Sequence, residues 1–523
     1  MTAAALDVTA SIDALAHDVL ERLGTPRDHW EIAAQLEVLG LRDADARALY
    51  GHRDLFELAR AIEQLVQSGA VVPPIEPEDP PRKQPSFLRH YATGSMFALP
   101  MLLQAAAILT WGYGLWGALD VDVRTGTAIA LGFIASYILS GGFVQAIVRR
   151  GLFYVYQQEP ALARWVVLRG WSLGARVTLG LLAPALLFNA LYRLLPWDLF
   201  FTAALYYAAL SLLWLNWSMI YIAASRLWLA ATTILGLAAV IAAARFLGWS
   251  AIAANAAGLA VAAALSFAAG LRALGPRGRP INPPRLTILV YSTSRYFLYG
   301  LLYNLFVFLD RILAWTTRTG REDFPPYAFW LSARYELGMD LALVVVILLA
   351  GVVEASIQTF SSSLVPVQKS LLSGERERFA AWFRTFHRRR VAILAVCALA
   401  AVAIARLLFG VVSTLPNPQI QASVHTMTAT FAFWAGAAGY ALLMLALQNL
   451  LLLLTLSRVE LAARAVAIAL AVNAVAGFIA SRAFHYSMAS LGLVAGGVAL
   501  FVITWLDVRR AGDDLDYHYF AAF

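Results

Sequence analysis

Residues 431–456 run FAFWAGAAGYALLMLALQNLLLLLTL, without one charged side chain. Coiled as an α-helix, a run of this length is about 39 Å long, more than the ~30 Å hydrocarbon core of a bilayer. Similar apolar runs recur from about residue 95 to the end of the chain. The composition agrees: 60% of the 523 residues are hydrophobic, only 14% are charged, and the mean hydropathy is +0.68. Soluble domains carry roughly 25% charged residues, so a single large soluble core is excluded.

Working outward, the apolar runs predict about twelve membrane-spanning helices. They cover 96–118, 126–148, 168–193, 198–222, 225–247, 249–273, 286–316, 336–362, 391–414, 424–455, 459–481 and 486–507, with the Ala/Leu stretch 198–273 the hardest to divide. The expected fold is all-α and polytopic, in two six-helix bundles (96–273 and 286–510) joined by a basic linker at 274–285. Residues 1–70 read as a small helical soluble domain, 71–95 as a Pro-rich linker and 511–523 as a tail. In the soluble part, Thr25-Pro26-Arg27-Asp28 reads as a helix N-cap followed by proline. Asp54-Leu55-Phe56-Glu57 reads as a capping box.

Loop charge sets the expected orientation. Arg82, Lys83 and Arg89 precede the first span. Arg149, Arg150, Arg164 and Arg169 follow the second, and Arg272, Arg277, Arg279 and Arg285 the sixth. Lys369, Arg376, Arg378, Arg384 and Arg388 to Arg390 follow the eighth, and Arg458, Arg509 and Arg510 lie on the same side. Positive charge accumulates on the cytoplasmic side, so a multi-pass inner-membrane protein with both termini cytoplasmic is expected. The net charge of +8 then reflects loops near anionic lipid rather than nucleic-acid binding. The lone Cys397 rules out a disulfide framework or a cysteine metal site.

No Walker A loop, HExxH, GxSxG or Rossmann fingerprint is present. Neither an enzyme nor a cofactor is expected, and the histidines of the soluble part lack metal-site spacing. Ionisable residues inside spans are the stronger signal, because lipid tolerates them only with a partner or a cavity. Arg295, Asn304, Asp310 and Arg311 lie in the seventh span. Asn304 and Arg311 share a face there, with Arg295 opposite. Arg334, Glu336, Asp340 and Glu354 lie in or just before the eighth. Arg295, Tyr296, Tyr303, Asn304 and Glu354 are the candidate substrate path. Asp310, Arg311, Arg334 and Asp340 are candidate structural or gating charges, with Asp310-Arg311 expected to snorkel at the outer interface. Phe379, Trp382, Phe383 and Phe386 fall at i, i+3, i+4 and i+7, with Arg388 and Arg390 off that stripe. They predict a basic amphipathic helix lying on the cytoplasmic leaflet. Gly141-Gly142, Gly170-x-x-x-Gly174 and Gly492-x-x-x-Gly496 are expected to serve helix packing.

The segment Tyr299-Gly300-Leu301-Leu302-Tyr303-Asn304-Leu305-Phe306-Val307-Phe308-Leu309-Asp310-Arg311-Ile312-Leu313-Ala314-Trp315 resembles the PelG family of exopolysaccharide exporters. There a Tyr-Asn-Leu segment is followed by an acid–base pair and aromatics. Glu354 and the stretch from Phe379 to Arg390 are similar to that family's acidic helix end and aromatic-basic segment. The family belongs to the multidrug/oligosaccharidyl-lipid/polysaccharide (MOP) flippase superfamily. The resemblance covers 284–400 and implies two bundles rocking about a central cavity. It also implies export of a polysaccharide or lipid-linked sugar, with a cytoplasmic glycosyltransferase as partner. The chain departs from the family in its N-terminal domain and in having arginine rather than lysine after Asp310, which keeps the charge but changes the donor geometry. Two alternatives stand beside export. One is a non-transporting scaffold of a synthesis complex. The other is a membrane glycosyl- or acyltransferase, for which the outer loops offer chiefly Asp120, Asp122, Glu322 and Asp323.

Overall fold

The computed structural model describes residues 3–24, 26, 28–72, 87–96, 98–119, 121–225, 227–275, 278, 280, 283–321, 325, 327–369 and 376–515. Most of the Pro-rich linker and of the C-terminal tail lies outside them, as do Asp120, Glu322 and Asp323. Two compact units emerge. One holds residues 1–86, 360–385 and 512–517, the other 87–359, 386–511 and 518–523.

The N-terminal part has four helices, α1 (Ala3–Leu23), α2 (His29–Val38), α3 (Asp43–Tyr50) and α4 (Leu55–Gln67). Its core is its own: Ala16, Leu20, Ile32, Leu36, Leu58 and Ile62 are buried together. Asp28, not Thr25, is the N-cap of α2, accepting from the backbone N–H groups of Trp30 and Glu31. The helix therefore begins at His29, three residues beyond Pro26. Asp54 caps α4 by accepting from Glu57 N–H, and the Glu57 carboxylate reaches back to Arg53 N–H.

The apolar part of the chain comprises α5 (Phe87–Ser95), α6 (Leu99–Trp111), α7 (Val123–Tyr156), α8 (Pro160–Gly180), α9 (Leu182–Tyr192), α10 (Trp197–Ile222), α11 (Leu227–Arg245) and α12 (Ala251–Ala273). It continues through α13 (Leu286–Trp315), α14 (Ala333–Lys369), α15 (Arg376–Val412), α16 (Pro418–Val424), α17 (Met427–Thr455), α18 (Val459–Ala483) and α19 (Ser490–Asp513). Eleven spans are long and apolar enough to cross a membrane, or twelve when the bent pair α5–α6 is counted as one. The protein is a multi-pass membrane protein, and each expected span finds its counterpart.

The first span differs from its expectation. It runs over 88–111 with a 62° bend between its two helices. Residues 113–118 form a hairpin of two-residue strands instead of more helix. Gly112 stops α6 in a left-handed conformation that glycine adopts without steric penalty. The Gln104 side chain then accepts from Leu115 N–H at 2.6 Å, pinning the hairpin back on the helix.

The amphipathic segment also differs. Residues 376–390 are the first four turns of the continuous helix α15, not a separate helix on the leaflet. Phe379 and Phe383 are buried. Trp382 stacks on Phe360 and on Phe379, and Phe383 packs on Phe360 and against Gly512. Protein covers the aromatic stripe that composition alone assigned to lipid. The exposed apolar side chains lie elsewhere, at Val396, Leu399, Leu407 and Val411 farther along α15 and at Val475, Phe478 and Ile479 on α18.

α7 and α13 pack antiparallel through small residues. A Cβ added to Gly300 would lie 2.6 Å from Gln145 Cγ and 2.7 Å from the Gly141 carbonyl oxygen. The backbone oxygen cannot yield as a side-chain end could. Gly300→Val is therefore expected to lower stability by about 2 kcal/mol through overpacking, read as a drop in the melting temperature of the purified protein.

Candidate functional site

Asp310 and Arg311 do not snorkel. They are 0% and 3% exposed and sit inside a polar cluster built by three helices. α13 supplies Asp310, Arg311 and Trp315, α14 supplies Tyr335, Glu336 and Asp340, and α17 supplies Tyr440. Glu336 and Asp340 stand four residues apart, so one helix face presents both carboxylates to Arg311. The guanidinium donates through Nε to Glu336 Oε2 at 2.8 Å, through Nη2 to Asp340 Oδ1 at 2.7 Å and through Nη1 to the Tyr440 hydroxyl at 3.1 Å. Trp315 Nε1 donates to the other oxygen of Glu336 at 2.7 Å, and Tyr335 donates to Asp310 Oδ2 at 2.7 Å. Asp310 Oδ1, fully buried, has no hydrogen-bond partner. Three carboxylates against one guanidinium leave a formal charge of −2. Burial of that kind is tolerated only while every charge keeps its partner.

Asp340 is the exception to the burial, with a side chain 66% exposed while its partner Arg311 is 3% exposed. Among the described residues, α14 carries no exposed large apolar side chain, so it does not line the lipid. An exposed carboxylate on such a helix faces a cleft that water reaches. In the α7–α13 seam, Asn304 Nδ2 donates to Tyr137 O at 3.1 Å. Aromatic rings gather there: Trp116, Phe133, Tyr137, Trp214 and Phe308 form one connected cluster, with neighbouring ring centres 5.4–6.2 Å apart. The Arg311 guanidinium lies 5.3 Å from the centre of the Phe308 ring.

The two ends of the bundle differ. At the basic end, where α13 begins, α5 crosses α14 closely, because Gly94 and Gly351 let the backbones meet. Tyr91 donates to Leu348 O at 3.3 Å. His90 pairs with Gln358, whose amide donates to Glu354 Oε1 at 2.6 Å. At the opposite end the 316–332 connection touches residues from both halves of the chain. Leu331 N–H donates to Thr127 Oγ1 at 3.1 Å, and Arg321 donates to Trp330 O at 2.6 Å and lies over the Tyr486 ring. Burial, with Arg321 alongside, holds His485 below the usual imidazole range.

The expected path residues separate in space. Arg295 is exposed near the basic end, paired with Glu460. Tyr296, its neighbour, lies under the Arg149 guanidinium, and Tyr303 stacks on Tyr299. Asn304 serves the seam, and Glu354 lies at the α5–α14 crossing. Arg334 is exposed at the start of α14. Phe386 is half-buried, Arg388 exposed and Arg390 stacked over Phe386. Tyr335, Trp315 and Tyr440 complete the cluster without any sequence signal of their own. In the sequence, Asp310, Arg311, Glu336 and Asp340 stand out only as ionisable residues in or beside the seventh and eighth spans. Among the described residues no group of three or more His, Cys, Asp or Glu could hold a metal ion.

No family model matches the chain, and no curated protein matches it. Solved structures do. An outward-facing multidrug resistance MATE family transporter of the MOP superfamily matches with a TM-score of 0.56 at 16% identity, covering 82% of this chain and 96% of that one. A MATE protein in complex with MaD5 matches at a TM-score of 0.60 and 15% identity, with the same coverage. A MOP superfamily transporter from Pyrococcus furiosus, described by the reverse polarity of its binding pocket, matches at 0.57 and 16%, again over 82% and 96%. Over 82% of its length, then, the chain has the two-bundle fold of the MATE transporters of the MOP superfamily.

Proposed function

We propose that the protein exports a polysaccharide or lipid-linked oligosaccharide across the inner membrane by alternating access, with the Arg311 cluster as its coupling element. The single observation behind this reading is Asp340, a carboxylate open to the cleft yet held at 2.7 Å by a buried arginine. A proton or alkali cation entering the cleft meets a formal charge of −2. Neutralising Asp340 loosens its hold on Arg311, and a buried ion network of this kind is bistable rather than graded. The positive-inside pattern supports a cytoplasmic basic end, and on that orientation the cleft opens outward. The half-buried rings of Trp116, Phe133 and Tyr137 offer stacking platforms for sugar rings, in keeping with the PelG resemblance across 299–315. A cytoplasmic glycosyltransferase is the partner this reading requires.

A second reading has its own support. The fold neighbours include a multidrug resistance transporter, and a negative, aromatic cleft suits an organic cation. One experiment separates the two. In a deletion strain, surface polysaccharide and sensitivity to cationic dyes are measured together. Loss of surface polymer with unchanged dye sensitivity, restored by the wild-type gene, is the expected result. Intact polymer with raised dye sensitivity would transfer the proposal to cation export.

A further inference from the structure

Two arginines from different halves of the chain, Arg149 and Arg295, reach the turn between α17 and α18 and the start of α18 at the basic end of the α7–α13 seam. Arg149 of α7 donates through Nη2 to Ser457 Oγ at 2.9 Å, in the turn between α17 and α18. Its guanidinium also lies 5.2 Å from the centre of the Tyr296 ring. Arg295, the residue before Tyr296, reaches the other way to Glu460 at the start of α18. That pair is open to the outside, with Arg295 62% and Glu460 48% exposed. Both arginines thus reach the same short stretch, Arg149 to Ser457 and Arg295 to Glu460 three residues on.

Their depth follows from the end of the bundle at which they lie. Arg295 pairs with Glu460 in the first turn of α18, and Arg149 with Ser457 in the turn just before it, so on the proposed orientation both lie near the cytoplasmic headgroups. One turn farther into the membrane on the same helix face, Leu298 is exposed, giving apolar surface beneath a positive charge.

We propose that an anionic phospholipid binds here, its phosphate between Arg149 and Arg295 and its acyl chain along Leu298. The phosphate would tie the two bundles together at their cytoplasmic seam and so favour the seam-closed, outward-facing state. Glu460 competes with the lipid for Arg295. Its removal therefore strengthens lipid binding, whereas a merely structural ion pair would weaken it. The inference rests on the membrane orientation proposed above and not on the exported substrate.

The test uses the purified full-length protein in neutral detergent, titrated with phosphatidylglycerol, phosphatidylcholine or soluble glycerol phosphate. Binding is read by native mass spectrometry and by the melting temperature. Phosphatidylglycerol is expected to bind and stabilise, while the other two do not. Arg149→Gln and Arg295→Gln are each expected to weaken binding about fivefold, the worth of one basic residue near a charged lipid surface. Glu460→Gln is expected to tighten it. Equal stabilisation by soluble glycerol phosphate would assign the site to free phosphate and overturn the lipid proposal. Weaker binding in Glu460→Gln, or unchanged binding in both arginine variants, would also overturn it. Transport is not read, so failure here leaves the export proposal standing.

Discussion

Arg311→Leu is expected to lower the stability of the folded protein by about 3–5 kcal/mol, the usual cost of removing one partner from a buried ion network. Arg311 is 3% exposed and is the only cation bonded to Glu336 and Asp340 among the described residues. Without it, those two carboxylates and Asp310 face one another with the donors Trp315, Tyr335 and Tyr440 alone. The variant should accumulate at a small fraction of the wild-type level in membranes. Arg311→Lys should recover part of that level, since a lysine keeps the charge but cannot reproduce the three-way fork. Membrane abundance of the two variants and thermal unfolding of the lysine variant check this. Wild-type abundance of Arg311→Leu would show that the carboxylates are not held by this arginine.

Asp340→Asn is expected to behave in the opposite way, with normal abundance and a transport rate lowered at least about tenfold. The side chain is open to the cleft, so an amide there meets little burial cost. An amide can still accept from Arg311 Nη2, so the network keeps its geometry. What it loses is a charge that a proton or cation can neutralise, and with it the difference between the two states of the cycle. The check is transport in proteoliposomes under an imposed cation gradient. The wild type should respond to the gradient, and the variant should not. A variant that still follows the gradient would remove Asp340 from the coupling step.

Much of the fold was legible in the sequence because hydrophobic length is decisive in a bilayer. A run such as 431–456 has few alternatives to a spanning helix. The bend between α5 and α6 and the hairpin at 113–118 were not, since glycines and aromatics in an apolar run are compatible with helix and turn alike. The stripe Phe379, Trp382, Phe383 and Phe386 showed correctly that one face of α15 is covered. Periodicity does not say by what, and Phe360 and Gly512 come from distant stretches of chain.

The site was half legible for a related reason. Ionisable residues in spans marked α13 and α14, but their partners had to be found in space. Arg295 looked central by sequence and is exposed beside Glu460. Asp310 and Arg311 looked interfacial because they stand near the end of their helix, yet α14 and α17 bury them. Tyr440 lies 129 residues from Arg311, beyond the reach of any local pattern.

The central claim is that Asp340 lines an aqueous cleft closed at the basic end and open at the other. Val344 stands one turn from Asp340 on α14, toward the basic end, and Cys397 is the only cysteine. A Cys397→Ser, Val344→Cys protein in sealed vesicles can therefore be labelled at one known position. A membrane-impermeant maleimide is expected to label it from the side opposite the basic loops and not from the side that carries them. Labelling only by a lipid-soluble reagent, or only from the basic side, would contradict the account.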